Sequence, residues 1–303
     1  MNWTILISPA AGLLLSPLMF GLINRTKAFF AGRHGQPLLQ PYFDLGKLLR
    51  KGATYSRTTT WVFRAGPIVG LGATAAALTL TPMGGLPALV YFPGDLLLFA
   101  YLLCLARFFT VIAALDTGSS FEGMGASREV LFSALAEPAL LLGLAAVARE
   151  TRSLSLSEMV ASVSARTWLI QGPALGLVAV ALGVVLLAEN SRIPFDDPNT
   201  HLELTMIHEV MVLDYGGPDL AFVSYGAALK LWVMGALLVG LAVPVRSGNP
   251  LLDAAEFLGG MLVLAMLIGV VESSMARLRL PRVPKLLVGA TALAVLALVL
   301  VLG

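Results

Sequence analysis

"LIQGPALGLVAVALGVVLLAENSRIPFDDPNTHLELTMIHEV", residues 169–210, joins two segments of opposite chemistry. Residues 169–188 carry no charge, whereas the remainder holds Glu189, Arg192, Asp196, Asp197, His201, Glu203, His208 and Glu209. An apolar helix of about 20 residues crosses roughly 30 Å of hydrocarbon. Unbroken apolarity, in place of two-residue alternation, selects a helix over a barrel strand. The pattern recurs at 3–24, 62–82, 95–114, 131–149, 170–188, 220–244, 253–275 and 284–302, which predicts eight membrane helices. Composition agrees: 57% of residues are hydrophobic and 13% charged, with mean hydropathy +0.86. Soluble domains are nearer a quarter charged. The expected fold is therefore an all-α polytopic membrane protein, a single membrane domain over 1–303. The first window lacks a basic start and a small-residue cleavage site, so it reads as a retained helix. The near-neutral net charge of +2 gives no pointer to nucleic acid.

Basic residues in short loops set orientation. Arg25, Lys27, Arg33, Lys47, Arg50, Lys51, Arg57, Arg64, Arg128, Arg192, Arg277, Arg279, Arg282 and Lys285 follow the odd-numbered helices, fourteen in all. Arg149, Arg152, Arg166 and Arg246 follow the even-numbered ones. The long loops after the first and fifth helices are thus expected to face the cytoplasm.

Scarce residues exclude several chemistries. Cys104 is the one cysteine, so an intrachain disulfide and a four-thiolate iron–sulfur cluster are excluded, and it reads as packing. His34, His201 and His208 all lie in expected loops, which leaves no transmembrane pair for haem. "HEVMV" at 208–212 begins like a zinc-protease helix but lacks the second histidine, and no metal is expected. His201 and His208 read as surface or network histidines. "DTGSS" at 116–120 has the letters of an aspartic-protease turn, but that chemistry needs two facing aspartates. With one copy, Asp116 and Gly118 read as a loop turn. "GMGAS" lacks the glycine spacing of a nucleotide loop. Electrons, if handled, must run through partner subunits.

Of the charges within the expected spans, Arg107 and Lys230 lie near mid-span, and Glu137 and Glu272 nearer the inner ends. A charge at a helix centre costs about 2.5–3.5 kcal/mol on insertion scales. Such groups persist when they pair, line a wet cavity or carry ions, and both a static ion pair and a proton or cation relay fit here. Glu137, placed about two turns into the fourth expected helix and followed by Pro138, suits a hydrated kink. In the loop, Glu189 and Arg192 are three apart and would meet if the helix continued. Pro194 discourages that continuation. "THLELTMIHEVMVLD" at 200–214 spaces Leu202, Met206, Val210 and Leu213 like a short amphipathic helix. Apolar residues interleaved with carboxylates predict an ordered cap that docks a protein or lines a pocket.

"ENSRIPFDDP" at 189–198 resembles the E-x-x-R-x-P-F-D-x-P signature of the complex I subunit usually called subunit 1 or H, in Glu189, Arg192, Pro194, Phe195, Asp196 and Pro198. "GRHGQPLLQPYFDLGKLLRK" at 32–51 resembles that family's first inner loop, in Arg33, Gly35, Pro37, Gln40, Pro41, Asp44, Lys47 and Leu48. Where the quinone-linked members continue with a glutamate-rich run and an E-Y-S-G segment, this chain reads "NTHLELTMIHEVMVLDYGGPDLAF". "LDTGSSFEGMGASREVLFSALAEPALLL" at 115–142 and "ESSMARLRL" at 272–280 instead resemble the hydrogenase branch of the family. These are the anchor subunits of membrane-bound nickel–iron hydrogenases of the formate hydrogenlyase and hydrogenase-4 type.

The resemblance implies a subunit without a redox centre in an oxidoreductase complex of the prokaryotic cytoplasmic (inner) membrane. The chain would bind no cofactor, the nickel–iron and iron–sulfur centres lying in hydrogenase large and small subunits. Antiporter-like membrane subunits are expected neighbours, and quinone is not. Arg33, Gln40, Asp44, Lys47, Arg128, Arg192 and Phe195 would serve docking of the soluble arm. Glu189, Asp196, Glu203, Glu209 and Asp214 would couple it to Glu137, Lys230 and Glu272, with Arg107 in the same path. Two alternatives stay open: a quinone-binding component of an NADH or related dehydrogenase, and an independent ion transporter.

Overall fold

The computed structural model describes residues 6–196, 206–244 and 248–302. The chain forms α1 (Ile7–Phe30), α2 (Gln40–Leu49), α3 (Trp61–Thr79), α4 (Asp95–Asp116), α5 (Ser120–Thr151), α6 (Leu156–Ser162), α7 (Ala165–Glu189), α8 (His208–Met211), α9 (Gly217–Ala242), α10 (Pro250–Ser274) and α11 (Val283–Leu302). Among the described residues eight helices have the length and apolarity of a membrane span: α1, α3, α4, α5, α7, α9, α10, and α11 with the turn before it. A helix satisfies its own backbone donors and acceptors, which hydrocarbon cannot do. The protein is a multi-pass, all-α membrane protein.

α9 is the central post. Leu231 to Leu237 are buried without a break, so this stretch has neighbours all round. It packs against α1, α2, α3, α7 and α10, and α11 closes the far side against α5 and α7. Outward residues such as Leu169, Val295 and Val299 stay exposed, as lipid-facing positions should.

The fourth span departs from its expected start at 131. α5 begins at Ser120, so Arg128 lies inside a helix, not in a loop. Hydropathy reads lipid-facing apolarity and misses a helical turn whose polar side faces protein. Here Glu122, Gly125 and Ala126 are buried. Glu137 consequently lies about five turns into the helix, not two. The loop before α5 shrinks to residues 117–119, and Asp116 caps α3 by accepting from Thr60 N at 2.7 Å and Phe63 N at 3.3 Å. That bears out the turn reading.

The long loops gather at one end of the bundle. α2 lies along α1, with the Leu38 carbonyl close against Gly21, where no side chain fits, and Tyr42 Oη donating to Leu14 O at 2.5 Å. The expected helix over 200–214 reduces, among the described residues, to the single turn of α8. At the opposite end, Asp95 is fully buried and accepts from Ser155 Oγ (2.8 Å) and Leu156 N (2.7 Å), tying α4 to the start of α6.

Candidate functional site

α7 delivers Glu189 to the inside of the long-loop end. Two cations from different helices converge on it: Arg107 of α4, whose Nη2 lies close to both carboxylate oxygens, and Lys230 of α9 at 2.9 Å. Arg107 also faces Glu129 of α5, Nε to Oε1 3.7 Å. These two cations and two carboxylates form a neutral cluster. Each side chain is at most 17% exposed. Unit charges 4 Å apart interact by about 4 kcal/mol at an effective dielectric of 20, so none can leave without cost. The cluster lines a chamber of about 100 Å³ between α3, α4, α5, α7 and α9.

The helix stops at Asn190, where Ser191 adopts φ +51 and turns the chain. Arg192 points inward to Glu272 of α10 (3.3 Å), lying 4.5 Å over the Phe20 ring of α1. Glu272 also holds Lys27 of α1 at 2.8 Å. Asp196 pairs with Arg277 at 2.9 Å and accepts the backbone N–H groups of Ile207 and His208 at 3.0 and 3.1 Å. Phe195 is buried with Ala136, Val283 and Leu287, and Leu278 N donates to Pro194 O. Arg128 Nη1 donates to Met206 O at 2.9 Å. Residues 189–196 are thereby fastened to most of the bundle at once. Beside them a second cavity, about 310 Å³, lies between α1, α2, α9 and the loop.

Several expectations are redrawn by this geometry. The helix does not continue to Arg192, as Pro194 led to expect, and the two residues turn to different partners: Glu189 to Arg107 and Lys230, Arg192 to Glu272. Arg192 and Phe195 are turned into the bundle, and Arg128 is half-buried within α5. Arg33, Asp44 and Lys47 are exposed; Gln40 is half-buried and donates to Asp44 at 2.9 Å. Cys104 is more than packing, since its thiol donates to Glu137 Oε1 at 2.8 Å. Glu209 is half-buried along the larger cavity and Asp214 is exposed. Glu203, with Asp197, His201 and Arg246, lies outside the described residues.

Sequence reasoning missed Glu129 and the pairing role of Lys27. A signal for Glu129 existed: Glu122, Gly125, Ala126, Glu129, Ser133 and Ala136 recur at three- and four-residue spacing, a polar, small-residue helical face. Of the two readings for His208, surface or network, the structure favours the second: the residue is half-buried. It lines both cavities, and burial lowers its proton affinity below that of an ordinary histidine, with Asp196 and Glu209 pulling the other way.

Comparisons with known proteins place this geometry. A family model described as NADH dehydrogenase matches residues 3–302. Formate hydrogenlyase subunit 4 of Escherichia coli (strain K12) is 34% identical over 283 residues, covering 90% of this chain and 89% of that protein. Hydrogenase-4 component C of the same organism is 33% identical over 240 residues, covering 77% and 72%. The H-type component of the NADH-quinone oxidoreductase of Rubrobacter xylanophilus is 28% identical over 247 residues, covering 78% and 73%. Among solved structures, a chain of the membrane-bound sulfane sulfur reductase, an archaeal respiratory membrane complex, superposes with a TM-score of 0.84 at 24% identity, covering 98% of each chain. At that identity the likeness speaks for the fold alone.

Proposed function

The chain belongs to the NADH dehydrogenase family, and from that premise we propose that it anchors and couples a membrane-bound nickel–iron hydrogenase complex of the formate hydrogenlyase type. The two most similar relatives named above are a formate hydrogenlyase subunit and a hydrogenase-4 component, which supports the reading. In this reading the exposed faces of α2 and residues 31–39 and 50–60 receive a soluble arm on the cytoplasmic side, where the basic loops gather. Partner subunits hold the nickel–iron and iron–sulfur centres, and antiporter-like subunits lie alongside in the bilayer.

The observation that carries coupling is the neutral cluster Arg107–Glu129–Glu189–Lys230 directly beneath the pinned loop. A shift of residues 190–196 on redox change in the arm moves Glu189 relative to its two cations. At several kcal/mol per close pair, that shift changes what Glu129 faces and lets a proton or cation move. Cys104 and Glu137 extend the same α4–α5 seam one to two turns further.

The test uses the whole complex, purified through a tag on this chain and sealed in vesicles. A nickel-containing subunit should co-purify. Glu129→Gln leaves Arg107 its contact with Glu189, so the complex should assemble. Proton movement per dye-linked hydrogenase turnover should fall about tenfold or more, in line with the loss of one positioned proton-transfer group. Undiminished proton movement, or a preparation without nickel, overturns the reading. The 310 Å³ cavity favours a second reading, a quinone-linked subunit, because it reaches the size of small-molecule sites, about 300–1,000 Å³. Quinone-dependent turnover in the same preparation would select it.

A further inference from the structure

The two cavities share a wall. Five residues line both: Asn190, Ser191, His208, Val223 and Ala227. On one side is the roughly 310 Å³ cavity faced by Asp44 of α2 and by Arg192, Asp196 and Glu209 of the loop. On the other is the roughly 100 Å³ chamber of Arg107, Glu129, Glu189 and Lys230. At about 10–15 Å³ of probe volume per water, both have room for several waters beside charged walls.

The partition itself is poor in exchangeable protons. Val223 and Ala227 of α9 are apolar, and Asn190 and Ser191 do not titrate near neutrality. His208 is the one shared residue that takes up and releases a proton in that range. A second feature marks the place: Asn190 Nδ2 donates to Leu186 O at 2.8 Å, but its Oδ1 is buried with no hydrogen-bond partner among the described residues. An unpaired buried acceptor costs about 1–3 kcal/mol, and a water or ring N–H at the partition would relieve it. The position of His208 is also fixed from behind, since Asp196 accepts its backbone N–H.

We infer that His208 is the proton-transfer residue of the partition, passing protons between the loop-side cavity and the buried charge chamber. The imidazole accepts a proton at one ring nitrogen from water in one cavity and releases the proton on the other nitrogen to water in the next, so its own state is restored. Nothing is oxidised, and no bond other than N–H and O–H changes. Desolvation of the half-buried ring lowers its proton affinity and keeps the residence of each proton short. This inference rests on the coupling role proposed above and names the residue through which the cluster communicates with the loop side.

The experiment compares four versions of the intact complex in sealed vesicles: unaltered, Glu129→Gln, His208→Gln and His208→Ala with and without added imidazole. Proton movement is divided by dye-linked hydrogenase activity of the same preparation, which removes differences in yield. His208→Gln should lower the ratio about tenfold or more, and imidazole should restore most of it to His208→Ala but not to His208→Gln or Glu129→Gln. A full ratio in His208→Gln beside a lowered one in Glu129→Gln overturns the role of His208 and leaves the coupling reading standing. A full ratio in both overturns the two together. Failure of imidazole to restore His208→Ala makes the residue structural and ends the inference.

Discussion

Asp95 and Glu189 are both buried carboxylates, 0% and 8% exposed, at opposite ends of the same bundle. Asp95 is held by neutral donors that belong to its own neighbourhood: a serine hydroxyl and the backbone N–H groups of Leu156 and Phe92. Glu189 is held by two cations carried on two other helices, beside a cavity and under a loop. A carboxylate satisfied by backbone has one arrangement and fixes α6. One shared between Arg107 and Lys230 has alternatives, because either cation can keep it while the other turns to Glu129. The first arrangement suits structure and the second suits exchange of charge.

The comparison can be broken most forcefully at Glu189. Glu189→Ala leaves Arg107 and Lys230 facing each other with only Glu129 nearby, and stranding a buried charge costs about 3–5 kcal/mol. The complex should lose most of its assembled yield and unfold at markedly lower temperature in detergent. A variant of normal yield and melting temperature would mean that the cluster is well hydrated and that its electrostatics are weak.

Asp95→Asn is the matching change at the other end. It weakens charge-assisted hydrogen bonds that are worth about 1.5–3 kcal/mol, so melting temperature should fall by less than for Glu189→Ala. The ratio of coupled to dye-linked activity in the surviving complex should be unchanged. A drop in that ratio would erase the distinction between the two ends.

Glu137 sharpens the contrast from within the membrane. Among the described residues its partner is the Cys104 thiol rather than a cation, so Glu137→Gln strands no charge there, and the amide oxygen can still accept the thiol proton. Stability should change by about 0.5 kcal/mol or less, the small end of a neutral hydrogen bond. If Glu137 carries protons onward from the cluster, coupled proton movement should fall although assembly is intact. Failed assembly would identify Glu137 as a structural carboxylate of the Asp95 kind.

What the sequence determined by itself is what local physics controls. In hydrocarbon every peptide group must find its partner within the same helix, so uninterrupted apolar runs fix eight spans, although their ends shift: α1 runs on to Phe30, past its expected end at 24. The start of α5 escaped because the face that residues 120–130 bury, with Glu122, Gly125 and Ala126, is small and polar and carries no hydropathy signal. The signature at 189–198 likewise pointed to a loop whose Glu189, Arg192 and Asp196 all take up ion pairs in the fold. Who meets whom belonged to the tertiary structure. Arg107 reaches Glu189 across 82 positions, and Arg192 reaches Glu272 across 80. Spacing along one helix would have joined Glu189 to Arg192 instead. Such pairs depend on how α4, α7, α9 and α10 rotate and cross, which is set by packing along their whole lengths. A charge inside a membrane announces from sequence that it needs a partner, but only the assembled bundle decides which one it has.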